Sequence, residues 1–422
     1  MLNVETPRRR AMAARVADLA LDLALSRIVS RGDLRVTTAS GALLSFGDGS
    51  GEPICVRFTD ERAQWAFLID ADGRLGELYM DERFLVDRGS LYDFVAMMLR
   101  EAGNAAHPFA ARAIDWVRTR ARQFRHRNLP GRSKRNVAHH YDLDGRLYAL
   151  FLDEDRQYSC AYFEEEGQGL DEAQLAKKRH LAAKLLLAPG QRILDIGCGW
   201  GGLALHLAAE APGGSVLGVT LSEEQLAYAK ARVAGGGTAA DVTFALQDYR
   251  SVEGQFDRIV SVGMFEHVGL ASYREFFRTV AARLKDDGVM VLHTIGCSDG
   301  PGFTTPWLDK YIFPGGYIPS LSEIVPEIEA AGLTITDVEI LRMHYAWTLA
   351  HWRARFAARS AEAAAIYDRR FCQMWEYYLS TAEAAFRFEG LAVFQIQLAK
   401  RGSAVPVTRD YISLSDRSRR TG

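Results

Sequence analysis

The sequence predicts an α/β fold, a doubly wound, seven-stranded Rossmann-like sheet preceded by a smaller N-terminal α+β domain. Short apolar runs alternate with helical stretches from residue 190 onward, which is the pattern of consecutive βαβ units. A glycine-rich turn, LDIGCGWGG (194–202), overlaps the end of the first of these runs. The length of 422 residues also exceeds what a single hydrophobic core usually holds, so two domains are expected.

The N-terminal α+β domain is predicted over residues 1–105. Thr6-Pro7 suits the cap and first position of a helix, and Val16, Leu19 and Leu23 mark one face of it. Beyond Gly32, the predicted elements are strands over ICVRF (54–58) and WAFLI (65–69), a turn at Asp72-Gly73 and a helix over 90–103.

The second domain is predicted over residues 139–422. Its strand candidates are RILDI (192–196), SVLGVT (215–220), VTFAL (242–246), FDRIVSV (256–262), VMVLHT (289–294), TITDVEIL (334–341) and AVFQIQLA (392–399). Between the second and third of these, SEEQLAYAKARVA (222–234) places Leu226 and Val233 on the helix period. Together these runs predict a doubly wound sheet.

Composition excludes several classes of protein. Lys and Arg total 51 against 53 Asp and Glu, a net charge of −2, so no global field attracts polyanions. The five cysteines form no CxxC pair, which favours reduced thiols in the cytoplasm and argues against a metal site. No apolar run approaches the roughly 20 residues that a membrane span needs. Any contact with a membrane is therefore expected at its surface.

Residues 106–138 are predicted to form a basic helical linker. Nine basic residues lie between Arg112 and Arg135 against one acid, Asp115. A solvated helix face explains this run as well as contact with phospholipid headgroups does. Nucleic acid is not expected as a partner, because no stacking aromatics or binding motif accompany the charges.

The glycine-rich turn is a candidate ligand site. Gly197, Gly199 and Gly201 would let a ligand approach the backbone closely, and the following helix start offers unpaired N–H groups. Dinucleotides use a similar turn. The spacing here is GxGxG rather than GxGxxG, which favours a ligand without a pyrophosphate, with S-adenosylmethionine the common candidate.

Polar residues after the second and third strands extend this predicted cofactor site. The second strand ends in GVTLSEEQ (218–225) without an acid to hold ribose hydroxyls, so Thr220 and Gln225 are the expected contacts. Asp248 and Tyr249 follow the third strand, where they would hold the adenine amino group and cover its ring. Ordinary core packing is an equal alternative for Tyr249.

Several motifs lie at consistent spacing between about Asn136 and Lys400. They are HHYDLDGRLYALFLDEDRQYSCAYF (139–163), LDIGCGWGG, GVTLSEEQ, LQDYR (246–250), SVGMFEHVG (261–269), LHTIG (292–296), KYIFPGGYIPS (310–320) and HYAWTL (344–349). In these motifs the chain resembles the cyclopropane-fatty-acyl-phospholipid synthases and the related mycolic acid cyclopropane synthases, which are class I S-adenosylmethionine-dependent methyltransferases. The N-terminal region resembles, more loosely, the lipid-contacting domain of the bacterial phospholipid enzymes.

The resemblance implies a reaction and a site. Members of this family transfer the sulfonium methyl of S-adenosylmethionine to a cis double bond of an acyl chain, and then remove a proton to close a ring. Bound bicarbonate is their immediate base. By motif, its holders here are Cys160, Glu266, His293, Ile295 and Tyr345, and the cofactor contacts include Tyr158 and Ser159.

Each of these residues also has an ordinary structural explanation. Glu266 could cap the helix after the fourth strand, and Cys160 could be a small buried hydrophobe. His293 could satisfy a backbone carbonyl, and Tyr345 could be a core residue. Their joint appearance, each in its own motif, favours the functional interpretation, whereas His267 is left out of the catalytic set.

The predicted function is cyclopropanation of unsaturated acyl chains in membrane phospholipids. The protein is expected to be a homodimer, associated peripherally with the inner membrane surface. The helical stretches HWRARFAARS (351–360) and CQMWEYYLSTAEAAF (372–386) resemble the family's acyl-chain cover. The alternatives are a related enzyme with a methyl- or methylene-branched product, a small-molecule methyltransferase, and a non-enzymatic binding protein.

Overall fold

A small four-stranded sheet follows the first helix of the chain. The computed structural model of the protein describes residues 7–102, 144–234 and 241–413. The elements before residue 103 are α1 (Pro7–Ile28), β1 (Leu34–Thr37), β2 (Leu43–Phe46), β3 (Ile54–Phe58), α2 (Glu61–Ile69), α3 (Ala71–Met80), β4 (Phe84–Arg88) and α4 (Leu91–Ala102). The strand order is β2-β1-β3-β4, with β1 and β3 parallel and the other pairs antiparallel.

The structure confirms part of the predicted N-terminal pattern and corrects the rest. The strand at 54–58 and the helix predicted at 90–103 are present. The predicted strand at 65–69 is wrong, because Asp60 caps α2 by accepting a hydrogen bond from the Ala63 N–H at 3.0 Å. The predicted turn at Asp72-Gly73 is also wrong, because Asp70 caps α3 through the Gly73 N–H at 3.1 Å.

Helix α1 is present, but its predicted buried face is wrong. Val16, Leu19 and Leu23 are 51%, 68% and 55% exposed. The buried positions are Ala17, Leu21 and Leu25, which recur every four residues and therefore share another face. The stretch ADLALDLAL places apolar residues on both faces, so spacing alone could not select the face that is buried.

The second sheet has seven strands, as predicted. Its strands are β5 (Arg192–Ile196), β6 (Ser215–Thr220), β7 (Asp241–Leu246), β8 (Phe256–Val262), β9 (Leu284–Cys297), β10 (Thr334–Leu341) and β11 (Leu391–Ala399). The order is β10-β11-β9-β8-β5-β6-β7. Strand β11 is antiparallel to both of its neighbours, and the other pairs are parallel.

The helices from residue 144 onward include the one predicted at 222–234. They are α5 (Gly145–Phe151), α6 (Leu170–Lys184), α7 (Gly202–Glu210), α8 (Glu223–Ala234), α9 (Tyr273–Arg283), α10 (Pro306–Tyr311), α11 (Leu321–Ala330), α12 (His344–Ala358), α13 (Ser360–Ile366) and α14 (Arg369–Phe388). None of the helices in the described part of the chain is long and apolar enough to cross a membrane.

Both faces of the seven-stranded sheet carry apolar clusters. Leu194 and Ile259 belong to one cluster, whereas their neighbours Ile193 and Val260 belong to the other. This alternation is the two-residue period of a strand. Burial on both faces explains why these strands are continuous apolar runs in the sequence.

Contacts divide the chain into two units that differ from the linear domains predicted above. One unit comprises the described residues up to 102 together with Thr305–Ile312 and Phe356–Glu389. Helix α14, which contains most of the predicted acyl-chain cover, packs in this unit against α3 and α4. The predicted linker at 106–138 lies outside the described residues, so that boundary stays a prediction.

The corrected face of α1 yields a test of stability. We expect Leu21→Ala to lower the free energy of unfolding by about 2–5 kcal/mol, because it removes a fully buried side chain. Leu19→Ala, the matched control on the exposed face, should change it by less than about 0.5 kcal/mol. Urea denaturation measures both, and the reverse order would restore the face predicted from the sequence.

Candidate active site

A pocket lies at the carboxyl ends of the parallel strands. Its walls come from the segment Arg156–Ser159 and from residues that end or follow strands β5, β6, β7 and β8. Eight of the nine predicted cofactor residues line it: Tyr158, Ser159, Gly197, Gly199, Thr220, Gln225, Asp248 and Tyr249. This is where open α/β sheets bind their ligands, because the loops at the carboxyl edge diverge there.

The glycines of the turn after β5 have different surroundings. Gly199 has φ +54°, and a Cβ built there would meet no atom within 4 Å. Gly201, the one predicted cofactor residue that does not line the pocket, has φ +85°. A Cβ on Gly201 would lie 2.7 Å from Cζ of Phe244. Gly199 therefore leaves space at the pocket, whereas Gly201 permits close packing at the start of α7.

The end of β6 holds Thr220 and Gln225 together. The Thr220 hydroxyl donates to Oε1 of Gln225 at 3.0 Å and accepts from the Ser222 N–H at 3.2 Å. Both side chains are buried. The hydrogen bond fixes the orientation of the Gln225 amide, leaving its NH₂ group as the donor at this wall of the pocket.

Asp248 is an ionised group at the pocket wall. Burial raises its pKa, but hydrogen bonds from Arg250 outweigh this effect, so the pKa lies below its ordinary value. The Arg250 Nε donates at 2.9 Å and a terminal guanidinium nitrogen at 2.6 Å. The Tyr249 ring lines the pocket and also contacts Phe276 edge-on, with ring centroids 5.4 Å apart. Tyr249 therefore packs against the core and also lines the pocket, while its contact with an adenine ring stays a prediction.

Asp195 and His267 are two of the pocket residues that were absent from the predicted set. Asp195 is fully buried at the end of β5, burial raises its pKa to about 7, and its Oδ2 has no hydrogen-bond partner. The signal was available, because an acid inside an otherwise apolar strand directly precedes the glycine turn. His267 also lines the pocket, and burial lowers its pKa to about 4, so it is neutral at pH 7.

Glu266 and Ile295 are in direct contact, as their predicted common site requires. The Ile295 N–H donates to Oε1 of Glu266 at 2.6 Å. Oε2 is buried without a hydrogen-bond partner. Burial raises the Glu266 pKa to about 7, and the bond from Ile295 only partly opposes this effect. Near neutral pH this carboxyl group can therefore exchange a proton.

His293 presents a second unpartnered atom. Nδ1 lies 3.1 Å from the Gln395 Nε2, which can only donate. Burial places the His293 pKa well below its ordinary value, so the ring is neutral. Its proton then resides on Nε2, which is buried and has no partner. Glu266 and His293 thus offer one buried acceptor and one buried donor.

Cys160 and Tyr345 are linked through their neighbours. Cys160 is buried, and burial keeps its pKa far above the ordinary value, so it is a thiol. The adjacent Ala161 N–H donates to the Thr348 Oγ1 at 3.0 Å. Thr348 lies one helical turn after Tyr345 on α12. The bond therefore connects the Cys160 segment to the helix that carries Tyr345.

None of the five predicted catalytic residues lines the pocket itself. Glu266 is nevertheless flanked in sequence by Met264 and His267, which do, and the Gly263 N–H donates to the His293 carbonyl at 2.9 Å. The predicted base site thus adjoins the pocket through the end of β8.

Comparison with known proteins identifies the family. A sequence model of mycolic acid cyclopropane synthetase matches residues 130–396. The chain belongs to this family. It is 40% identical to the cyclopropane-fatty-acyl-phospholipid synthase of Escherichia coli over 329 residues, 77% of this chain and 82% of that protein. It is 34% identical to the tuberculostearic acid methyltransferase UfaA1 of Mycobacterium tuberculosis, over 93% of this chain and 94% of that protein.

A solved structure of this family agrees with the seven-stranded fold. The mycolic acid cyclopropane synthase CmaA1, in complex with SAH and CTAB, is 34% identical with a TM-score of 0.60. The match covers 63% of this chain and 97% of that one. The predicted family, fold class and enzyme class, an S-adenosylmethionine-dependent methyltransferase, are confirmed. The roles of individual site residues stay predictions.

The buried carboxyl group of Glu266 yields a prediction about pH. Because its folded-state pKa of about 7 exceeds the unfolded value of 4.5, its contribution to stability is fully present below pH 4.5 and is lost as the pH rises through 7. The variant Glu266→Gln has no carboxyl group to titrate at this position, and its side-chain oxygen can still accept the hydrogen bond from the Ile295 N–H. Relative to that variant, the wild type should lose up to about 3 kcal/mol across this window.

Urea denaturation of ligand-free protein at several pH values measures this difference. The Asp195 carboxyl, whose pKa is also raised to about 7, is present in both proteins, so its contribution cancels. Parallel stability curves would contradict a Glu266 pKa near 7.

Proposed function

We propose that the protein transfers a methylene unit from S-adenosylmethionine to the cis double bond of unsaturated phospholipid acyl chains, forming a cyclopropane ring. The observation that carries the proposal is that Oε2 of Glu266 and Nε2 of His293 are each buried without a hydrogen-bond partner, on segments that adjoin the pocket at the end of β8. The name of the Escherichia coli relative, cyclopropane-fatty-acyl-phospholipid synthase, supplies the substrate class.

The chemistry of an alkene explains why a base would lie beside a methyl-donor pocket. An alkene attacks the sulfonium methyl with its own π electrons, so no proton needs to leave beforehand. Afterwards a carbocation remains, and ring closure needs the removal of one proton from the added methyl. A group with a pKa near 7 in a dry site suits this second step. Glu266 has that property.

The proposal includes bicarbonate, which would supply the immediate base when bound. Its hydroxyl group can donate a hydrogen bond to Oε2 of Glu266. Its other oxygens can accept a hydrogen bond from the Nε2–H of His293. These two atoms fit such a group because one accepts and the other donates. The Ile295 N–H is already donated to Glu266, so its role here is to orient the carboxylate. Cys160 and Tyr345 complete the proposed site.

A branched product is the second candidate. The relative whose match extends over 93% of this chain is named a methyltransferase rather than a cyclopropane synthase. The same donor pocket and base would serve ring closure and the formation of a branched alkene. Ring closure removes a proton from the added methyl, a methyl-branched alkene forms by loss of a chain proton, and a methylene branch forms by proton loss after a hydride shift. A saturated methyl branch would need a hydride donor as well. The structure of the product therefore decides between them.

Peripheral association with the inner membrane surface is part of the proposal. The exposed apolar stripe of α1, formed by Val16, Leu19 and Leu23, supports it. Arg15 and Arg27 are exposed on the same helix, and basic residues beside an apolar stripe favour anionic lipid surfaces. We further propose a homodimer, as the family resemblance implies. Sedimentation velocity would contradict it by finding only the monomer mass.

Mass spectrometry of the lipid product tests the proposed reaction. Vesicles of cis-monounsaturated phospholipid, incubated with the protein and S-adenosylmethionine, should gain one CH₂ unit per reacted chain, and the product should resist mild hydrogenation. Uptake of hydrogen after the same gain would indicate a branched alkene, with either a methylene or a methyl branch, because a saturated methyl branch needs a hydride donor that this mixture does not contain. No gain would overturn the proposal.

Sedimenting the same vesicles separates membrane association from catalysis. The protein should pellet with vesicles that contain anionic lipid. Protein that stays in the supernatant, with catalysis intact, would contradict association through α1 while leaving the reaction in place.

Removal of the base should separate donor binding from turnover. We expect Glu266→Gln to lower kcat by about 10²–10⁴-fold, the usual contribution of a general base, while the Kd for S-adenosylhomocysteine stays within threefold. Wild-type turnover should also fall in bicarbonate-free buffer and recover when bicarbonate, but not equimolar chloride, is restored. Full activity of the variant would show that Glu266 is not the base. Turnover that does not depend on bicarbonate would show that this anion takes no part in the reaction.

A further inference from the structure

Lys177 is a fully buried cation beneath one wall of the donor pocket. It lies on α6 with 0% exposure and does not line the pocket. Its Nζ donates to Oε1 of Gln157 at 2.8 Å and to the Ser159 hydroxyl at 2.8 Å. Gln157 and Ser159 both line the pocket. The ammonium group therefore contacts two residues of the wall without lining the pocket itself.

Lys177 is charged at pH 7. Burial lowers its pKa to about 8, and the nearby Asp153 carboxylate opposes that effect. The other charged or titratable groups that interact with it include Lys178, Cys160, Asp155, Asp195 and His293. A buried cation costs several kcal/mol of solvation free energy. Within the described residues Lys177 has no direct salt bridge to offset this cost, so its hydrogen bonds to the pocket wall are the contacts that hold the charge there.

A second residue of α6 holds the backbone of the same wall. Gln174, almost one turn before Lys177, donates from Nε2 to the Gln157 carbonyl at 3.2 Å and to the Ser159 carbonyl at 2.9 Å. Gln174 is 1% exposed. The two side chains together fix both the backbone and the polar side chains of residues 157–159. Tyr158, a predicted cofactor contact, lies between the fixed residues.

The charge of Lys177 determines which way the Ser159 hydroxyl can act. An ammonium group has three donors and no acceptor, so the Ser159 Oγ must accept from it. The Ser159 hydroxyl hydrogen is then directed away from Lys177. Gln157 is constrained in the same way, because its Oε1 accepts from Lys177 while its Nε2 donates to the Asp155 carboxylate at 3.0 Å. Ser159 therefore keeps its hydroxyl hydrogen as a donor at the pocket wall, whereas one of the two Nε2 hydrogens of Gln157 is already donated to Asp155.

We propose that Lys177 is a positioning residue that holds Ser159 as a hydrogen-bond donor to the carboxylate of S-adenosylmethionine. The amino-acid part of this cofactor carries one anionic group. Its ammonium and sulfonium groups cannot accept a hydrogen bond, so the carboxylate is the acceptor there that a fixed hydroxyl donor fits. The positive charge behind the wall also favours an anion at this point.

Ligands with and without the carboxylate test this proposal. Isothermal titration calorimetry should give a Kd for S-adenosylhomocysteine at least tenfold weaker in Lys177→Met than in the wild type. The Kd for decarboxylated S-adenosylhomocysteine, which keeps the amine and the thioether, should change by less than threefold. A merely structural defect would weaken both ligands equally, and that result would overturn the proposal. An unchanged Kd for both ligands would do the same.

Lys184 supplies a matched control on the same helix. It is also 0% exposed, but its Nζ contacts Oε2 of Glu339 at 2.5 Å rather than the pocket wall. Lys184→Met should therefore leave both Kd values within threefold of the wild type. A selective loss of S-adenosylhomocysteine binding in this variant would show that the effect is not specific to Lys177.

Ser159→Ala keeps the proposal testable if Lys177→Met does not fold. This variant removes the donor but not the buried charge, and it should show the same selective loss of S-adenosylhomocysteine. The double variant should bind no more weakly than the weaker single variant, because both changes break one interaction. Unchanged binding in Ser159→Ala would overturn the proposal. These binding results are independent of the lipid product, so a failure here leaves cyclopropanation untouched.

Discussion

The hydrogen bond from the Ile295 N–H to Glu266 determines the orientation of the proposed base. It joins the end of β9 to the segment that follows β8, and the parallel register of these strands, with Val262 opposite His293, determines it. One carboxylate oxygen is occupied by the bond, while the other faces a dry interior. Desolvation then raises the pKa into the neutral range. A slip in register would break this bond and change the orientation of the carboxylate.

The same region contains several other buried polar groups. Lys177, Asp195 and His293 are each almost fully buried, where an unpaired charge or dipole is costly. The two apolar clusters on the faces of the sheet supply the packing that can offset such costs. Chemistry and stability therefore make opposite demands on neighbouring side chains. The apolar clusters lie on the two faces of the sheet, whereas the pocket lies at the carboxyl ends of its parallel strands.

How far the sequence predicted the structure differed between the two sheets. Strands buried on both faces are rich in apolar residues and are bounded by glycine or polar turns, so β5, β6 and β8 were predicted to the residue. In the N-terminal region, the short apolar run WAFLI fits a strand or a helix equally well. The capping hydrogen bond of Asp60 favoured a helix there, and in α1 the choice between two apolar faces depended on tertiary packing.

The sequence by itself determined the succession of strands along the chain and eight of the residues that line the pocket. This was possible because residues that follow parallel strands must converge at one edge of the sheet. Only the tertiary structure decided which buried atoms lack partners and which buried lysine supports the pocket wall. Those features depend on contacts such as that between His293 and Gln395, which lie 102 positions apart, and local sequence patterns carry no information about such distant packing.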